Sequence, residues 1–162
     1  MRKMKRYDWL CQLVNQEGYT IGAEIGAATG NTTRRLLTRC KTLDKLYVAD
    51  IWKALPGSGQ WEMDNMEEIF RDRFMGEPRL TILKGLSWEM ADQVDDDSLD
   101  FIFIDADHSY ECVKKDIHAW YPKLRKGGTI CGHDINLEGV RQAVKEFFPR
   151  YINTKIDNVW MA

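Results

Sequence analysis

The chain has little of what staples or anchors a protein. Its four cysteines, Cys11, Cys40, Cys112 and Cys131, include no Cys-x-x-Cys pair. That excludes the usual zinc spacing and a small-protein disulfide framework. Cys112 and Cys131 fall inside apolar stretches, where a thiol acts as a small core group, and a reduced, cytoplasmic protein fits this usage. No apolar run approaches the length of a membrane span. The opening MRKMKRYDWLCQLVNQEG is too polar for a secretory signal core. A surplus of one charge is also missing: the net charge of -2 over 162 residues lacks the positive excess of a protein that binds nucleic acid by neutralising phosphates. The one basic cluster, Arg2, Lys3, Lys5 and Arg6, reads as a solvated, fraying end. There is no internal repeat, low-complexity tract or linker, so the expectation is one domain over residues 1–162.

What is present is a globular composition, 44% hydrophobic and 30% charged, in a chain long enough to bury a core without staples. Short β-rich runs, YTIGAEIG, KLYVAD, RLTILKG, LDFIFID and GTICGHD, are each followed by a segment with helical spacing. That alternation predicts βαβ units and a parallel sheet, an α/β fold. Phe101-Ile102-Phe103-Ile104 is apolar throughout, as a central strand covered on both faces requires. Trp9, Leu10, Leu13 and Val14 predict a helix before the first strand. Gly30 or Asn31 is placed to cap a helix carrying Leu36, Leu37 and Cys40. Asp64 and Glu67 resemble a capping box leading into Ile69, Phe70 and Phe74. Ser109 predicts the start of a helix with Val113, Ile117, Trp120 and Leu124 inward, ending or kinking near Tyr121 because of Pro122. Asn136 predicts the start of a last helix with Val140, Ala143, Val144 and Phe147 inward. The tail reads as two short strands turning at Asp157-Asn158. Residues 52–63, with Pro56, Gly57 and Gly59 between two tryptophans, are either a surface connection or a lid over a ligand.

The strongest local signal is Glu24-Ile-Gly26-Ala-Ala-Thr-Gly30-Asn31 at the first strand-to-helix turn. Gly26 and Gly30 let the backbone turn sharply and approach a ligand closely. In an open parallel sheet the ligand crevice lies beside this turn, at the carboxyl ends of the strands. Asp50 follows Gly30 by twenty residues and ends the second strand, where an acid accepts hydrogen bonds from ribose hydroxyls. The dinucleotide pattern G-x-G-x-x-G is absent: Ala28 stands where its second glycine would meet a pyrophosphate. Glu24 under the turn suits a ligand carrying positive charge. S-adenosylmethionine, with its ammonium, sulfonium and ribose, matches this set better than NAD.

The segments AEIGAATGNTTRRLL, LYVADIW, LKGLSWEMADQV and DFIFIDADHSYECVKKDIHAWYPKLRKGGTICGHDI resemble successive motifs of class I S-adenosylmethionine-dependent methyltransferases. The nearest group is the small-molecule O-methyltransferases of catechol and macrolide-sugar type. The likeness runs from about residue 20 to 161, and IDADHSYE with LRKGGTICGHD is its most discriminating part. The resemblance implies a Rossmann-like sheet of seven strands, mostly parallel, closed by an antiparallel pair from the tail, with helices on both faces. It implies that Glu24, Gly26, Ala27 and Gly30 line the methionine half of the cofactor. Asp50 would hold the ribose, Ile51 would pack on the adenine, and Leu86 and Ser87 would flank the ring. The N-terminal cap that often completes the family's acceptor pocket is short here.

Asp105 ends the fourth strand and His133-Asp134 the fifth, its neighbour in this fold, so their side chains can converge at the crevice. Carboxylates gathered there can hold Mg²⁺. Metal-dependent relatives place an acid at the position of Asp105, and an acid pair or Asp-Asn at that of His133-Asp134. The histidine shifts preference toward Mn²⁺ or another transition metal. The alternative is a helix-capping Asp134 beside a histidine bonded to a loop carbonyl. His108, three residues past Asp105, is a candidate general base for an acceptor hydroxyl, a part that a histidine with this spacing plays in the sugar-methylating relatives. The alternative is a histidine hydrogen-bonded at a helix start. His118 reads as a surface residue. The expectation is methyl transfer to a small-molecule acceptor, at a hydroxyl, with no nucleic-acid or membrane partner. Its rivals are a non-catalytic protein holding the same cofactor and, disfavoured by Ala28, an NAD or nucleotide-sugar enzyme.

Overall fold

The computed structural model describes residues 3–53 and 65–162. All five β-rich runs form strands: β1 (Ile21–Ile25), β2 (Lys45–Asp50), β3 (Leu80–Lys84), β4 (Leu99–Ile104) and β5 (Leu124–Gly132). The tail adds β6 (Ile152–Asn153) and β7 (Trp160–Met161). Together they make one seven-stranded sheet in the order β3-β2-β1-β4-β5-β7-β6. The first five are parallel, and β7 runs antiparallel to both β5 and β6. The helices are α1 (Arg6–Glu17), α2 (Asn31–Arg39), α3 (Met66–Arg73), α4 (Ser87–Met90), α5 (Tyr110–Trp120) and α6 (Glu138–Phe147). Among the described residues no helix is long and apolar enough to cross a membrane.

Alternation along the strands lets the sheet bury both faces. On β4, Phe101 and Phe103 join one apolar layer with Leu10 of α1, Leu36 of α2 and Phe70 of α3. Ile102 and Ile104 point the other way, onto Val113, Ile117 and Trp120 of α5 and Val140 and Val144 of α6. The unbroken apolar run on β4 is therefore two faces read in alternation.

Local signals set most boundaries, with three differences. Ser109 caps α5, its hydroxyl accepting the Cys112 N–H at 3.4 Å. The helix stops at Trp120 and Tyr121–Lys123 form a short 3₁₀ turn, since Pro122 has no N–H to continue the ladder. Leu124, expected on the inner face of that helix, instead opens β5. α6 begins at Glu138 after Leu137, two residues later than Asn136 suggested. α3 begins after Asn65, which adopts a left-handed conformation at φ 65°; Asp64 of the expected capping box lies outside the described residues. Cys131 is buried as expected, whereas Cys112 is only half-buried on α5. Asp157 and Asn158 do form the turn between the tail strands, both at positive φ, 47° and 58°.

Asp100, at the amino end of β4, fastens the far side of the sheet. One carboxylate oxygen accepts the N–H groups of Thr20 at 2.6 Å and Ile21 at 2.8 Å; the other is bonded by Arg125. Burial opposes charge on Asp100, but Arg125 and the two N–H groups outweigh it and hold the carboxyl below its ordinary 3.8. A depressed folded value contributes stability that is present above the ordinary pKa and lost as pH falls through the folded one. Asp100→Ala should therefore lower stability by about 2–3 kcal/mol at pH 7, since hydrogen bonds to a charged group are being removed. The deficit should shrink near pH 3, which urea unfolding at both pH values measures.

At the opposite, carboxyl ends the parallel ladder continues one residue past the strands. The Gly26 N–H donates to Ala49 at 2.9 Å, Asp105 to Ile25 at 2.7 Å, His133 to Ile104 at 3.0 Å and Gly85 to Asp50 at 3.1 Å. These residues stand in one row above the sheet. From β1 the chain leaves to α2 on one face, and from β4 to α5 on the other, so a crevice opens between them.

Candidate functional site

A cavity of about 480 Å³ opens at this row, within the size range of small-molecule and cofactor pockets. Its floor is the first turn. Gly26 sits at φ +86°, and a Cβ there would lie 2.4 Å from the Asp105 carbonyl oxygen. Only glycine lets β1 and β4 approach this closely while turning left-handed. Gly30, at φ +81°, is the N-cap of α2 and backs onto Phe70 and Phe74. It shapes the turn from behind, while Ala27, Ala28 and Thr29 face the cavity.

Asp50, at the end of β2, clamps this turn. Its Oδ2 accepts the N–H groups of Ala27 at 2.7 Å and Ala28 at 2.9 Å, and its Oδ1 accepts that of Trp52 at 2.6 Å. Ile51 lies beside it in the wall. Trp52, first residue of the 52–63 segment expected to be connector or lid, is 8% exposed and packs on Phe70 at 5.1 Å between ring centroids. Its Nε1–H donates to the Ala28 carbonyl at 2.7 Å, so this tryptophan is wall. Residues 54–63 of that segment lie outside the described residues.

Glu24, under the turn, is 2% exposed and accepts the Thr33 hydroxyl at 2.6 Å. Burial pushes its carboxyl up to about 8, with the Thr33 bond pulling down and Asp105 and Asp50 adding to the rise. A cationic ligand group beside it would restore the charged form. Leu86 and Ser87 start α4 in the opposite wall, where the Ser87 hydroxyl donates to the buried Asp116 of α5. Burial pushes Asp116 up to about 7, Ser87 pulling down and Asp107 adding to the rise.

The expected acids and histidines do meet. His108 Nε2 lies 2.8 Å from Asp134 Oδ2, and His133 Nδ1 lies 3.0 Å from the same oxygen and 3.4 Å from Asp105 Oδ1. The Asp134 carboxylate raises the His108 pKa above its ordinary 6.5, against a smaller lowering by burial. Burial lowers His133 as well, yet Asp105 and Asp134 outweigh it and hold the ring at about 9. Burial resists charge on Asp134, but the two histidines keep its carboxyl far below the usual range. The donor atoms brought within 4.8 Å of one another are those of Asp105, His108 and Asp134. The set anticipated from sequence had His133 in place of His108. His118 is exposed on α5, as read.

Arg6, Asp107 and Asp116 of the cavity lining were not anticipated. Arg6 does not belong to a fraying end: it opens α1, and its Nε lies 2.9 Å from Asp105 Oδ2, an ion pair without good hydrogen-bond direction. Its backbone N–H donates to Asp157 at 2.9 Å. Asp107 and Asp116 are both buried in the cavity wall. Asp116 carried a signal: it shares the inward face of α5 with Val113, Ile117 and Trp120, where a carboxylate needs a reason.

The sequence profile of the methyltransferase domain family matches residues 23–135. No curated protein matches the chain by sequence. Among solved structures, an O-methyltransferase from Bacillus cereus in complex with SAH superposes with a TM-score of 0.69 at 18% identity, covering 96% of this chain and 78% of that one. The O-methyltransferase NovP gives 0.74 at 17% identity, covering 96% of this chain and 78% of its own. An SAH-bound methyltransferase from Podospora anserina gives 0.73 at 14% identity, over 99% of this chain and 78% of that one. At these identities the structural likeness is one of fold. The matched profile spans the glycine turn, Asp50, the α4 start and the Asp105–Asp134 cluster, and the chain belongs to the methyltransferase domain family as a class I S-adenosylmethionine-dependent methyltransferase.

Proposed function

We propose that the chain, as one domain over residues 1–162, moves the methyl group of S-adenosylmethionine to a hydroxyl of a small molecule. The observation that carries the acceptor chemistry is the 2.8 Å contact of His108 Nε2 with Asp134 Oδ2 at the cavity. A near-neutral net charge of -2 supports a small acceptor over a nucleic acid, and the four free cysteines support a reducing, cytoplasmic setting. The cavity suits the cofactor: Glu24 faces its ammonium, with Gly26 and Ala27 along the methionine half and Gly30 shaping the turn. Asp50 takes the ribose, Ile51 packs on the adenine, and Leu86 and Ser87 flank the ring. Bound S-adenosylmethionine supplies an electrophilic methyl on a sulfonium. The residues of this chain supply alignment and a place for the proton.

With Asp134 holding Nε2–H, Nδ1 is the nitrogen of His108 that accepts a proton. As the acceptor takes the methyl group and S-adenosylhomocysteine leaves, the hydroxyl proton would pass to His108. Asp134 orients the ring and stabilises the imidazolium. Arg6 and His133 hold Asp105 in place beneath the reacting groups.

A second reading rests on the three donor atoms within 4.8 Å. Asp105, His108 and Asp134 would hold Mg²⁺ or Mn²⁺, which would lower the pKa of the acceptor hydroxyl and orient it. A cation there must compete with Arg6 and the His133 proton, which already balance the carboxylates, so the metal-free base is the favoured reading.

Transfer of labelled methyl to a panel of phenols, catechols and sugar alcohols tests the proposal, and a protein that only holds the cofactor would label none. Turnover should rise with pH through a midpoint above 6.5, because the base must be unprotonated and Asp134 raises its pKa. Asp134→Asn should move that midpoint down and lower the plateau. Activity should survive EDTA; loss on chelation, restored by Mg²⁺ or Mn²⁺, would establish the metal reading instead.

A further inference from the structure

Gly139 is the second residue of α6, a position where glycine weakens a helix and alanine would strengthen it. Its backbone does not ask for glycine, since its φ is not positive. The space around it does. A Cβ there would lie 2.6 Å from the His108 carbonyl oxygen, 2.8 Å from the Tyr110 nitrogen and 3.2 Å from the Ser109 carbonyl carbon. All three are backbone atoms, so no side chain can swing aside to make room.

The same short stretch of chain grips His108 at its other end. Just past β5, Asp134 turns back at φ 58° and brings Oδ2 to 2.8 Å from His108 Nε2. The Leu137 N–H then closes a turn on the Asp134 carbonyl at 2.9 Å, and α6 starts directly after it. Residues 134–139 therefore hold the histidine twice, by its ring through Asp134 and by its backbone through Gly139. The two sides of the backbone contact do not yield equally. α6 is fixed by Val140, Ala143 and Val144, buried in one layer with Val113 and Ile117 of α5. The loop from β4 to α5 has the cavity on its other side, where Asp107 and His108 line it. A side chain at position 139 would displace that loop rather than the helix.

We propose that Gly139 is a positioning residue for methyl transfer: its missing Cβ lets the start of α6 seat the His108 backbone so that the ring meets Asp134 at the cavity. The inference rests on the reading of His108 as general base and adds the residue that sets where this base stands.

The test is a double-mutant cycle in the labelled-methyl assay on phenols, catechols and sugar alcohols, comparing wild type, Gly139→Ala, His108→Ala and the double variant. Gly139→Ala should lower kcat by about 10–10²-fold, the scale of a misplacement of about 1 Å near reacting groups. In the His108→Ala background the same substitution should change kcat by less than about twofold, because residues acting through one group are not additive. Affinity for S-adenosylhomocysteine should stay near wild type, since Gly139 is not among the residues lining the cavity. A merely structural role would lower kcat by the same factor with and without His108. That outcome, or wild-type turnover in Gly139→Ala, would overturn the inference and leave His108 as the base. If Gly139→Ala does not fold, Gly139→Ser repeats the cycle with a residue that suits the start of a helix. Failure of both to fold would make Gly139 a requirement of the fold and overturn the assignment. If the wild type labels no acceptor, or His108→Ala keeps full turnover, the base reading has failed and takes the inference with it.

Discussion

Replacing His108 by alanine should reduce methyl-transfer turnover by about 10²–10⁴-fold, the usual contribution of a positioned general base. The side chain is 40% exposed, so its removal leaves no cavity in either apolar layer and the fold should persist. Asp134 keeps His133 at 3.0 Å, so the cluster does not lose its remaining partner. Affinity for S-adenosylhomocysteine should stay near wild type, because His108 serves the acceptor. A fall in kcat at unchanged cofactor affinity separates a chemical role from a binding one. Near-wild-type turnover would reduce His108 to a helix-start residue bonded to Asp134, and methylation would then depend on alignment alone.

Asp50→Ala should weaken S-adenosylhomocysteine binding by about 10²-fold or more. Two effects add. The carboxylate is the proposed acceptor for the ribose hydroxyls, and a hydrogen bond to a charged group is worth about 1.5–3 kcal/mol. It also accepts the N–H groups of Ala27, Ala28 and Trp52, so its loss slackens the turn that forms the cavity floor. Every 1.4 kcal/mol is about tenfold in affinity, so the two effects together reach that size. The measurement is calorimetric titration beside wild type, with circular dichroism to show that the variant is folded. Unchanged affinity would leave Asp50 as a fastener of the turn and move the ribose elsewhere.

The sheet was legible because its strands announce themselves twice. Each is a short β-rich run, and each is separated from the next by a segment of helical period, a pattern that admits few arrangements other than a parallel sheet. The turn at Gly26 was equally open to reading, since a glycine followed by Ala-Ala-Thr-Gly after a strand has few other uses. Boundaries were less visible. Leu124 continues the helical spacing of α5, and only the missing N–H of Pro122 ends the helix before it. Asn136 is a good capping residue that the chain passes over, because it lies inside a turn closed by the Leu137 N–H on the Asp134 carbonyl at 2.9 Å, and α6 starts after that turn.

The site divides along the same line. Residues at strand ends, Asp50, Asp105, His133 and Asp134, could be placed because the ends of neighbouring parallel strands must lie side by side. Arg6 could not be, since its contact with Asp105 joins the first helix to the fourth strand across nearly a hundred residues. That His108 joins His133 at the Asp134 carboxylate was also hidden. It depends on side-chain direction past the end of β5, where Asp134 turns back at φ 58° toward His108. Asp116 was legible in retrospect as a charge on a buried helix face, and Asp107 was masked by Asp105 and His108, which lie within two residues of it.

The crevice between β1 and β4 is the S-adenosylmethionine site, and calorimetric titration of the wild-type protein tests that most directly. S-adenosylmethionine and S-adenosylhomocysteine should each bind at a single site and raise the melting temperature as their concentration rises. NAD should give neither heat nor a shift, because Ala28 and Glu24 leave no place for a pyrophosphate. Binding of NAD without binding of S-adenosylmethionine would contradict the account at its centre.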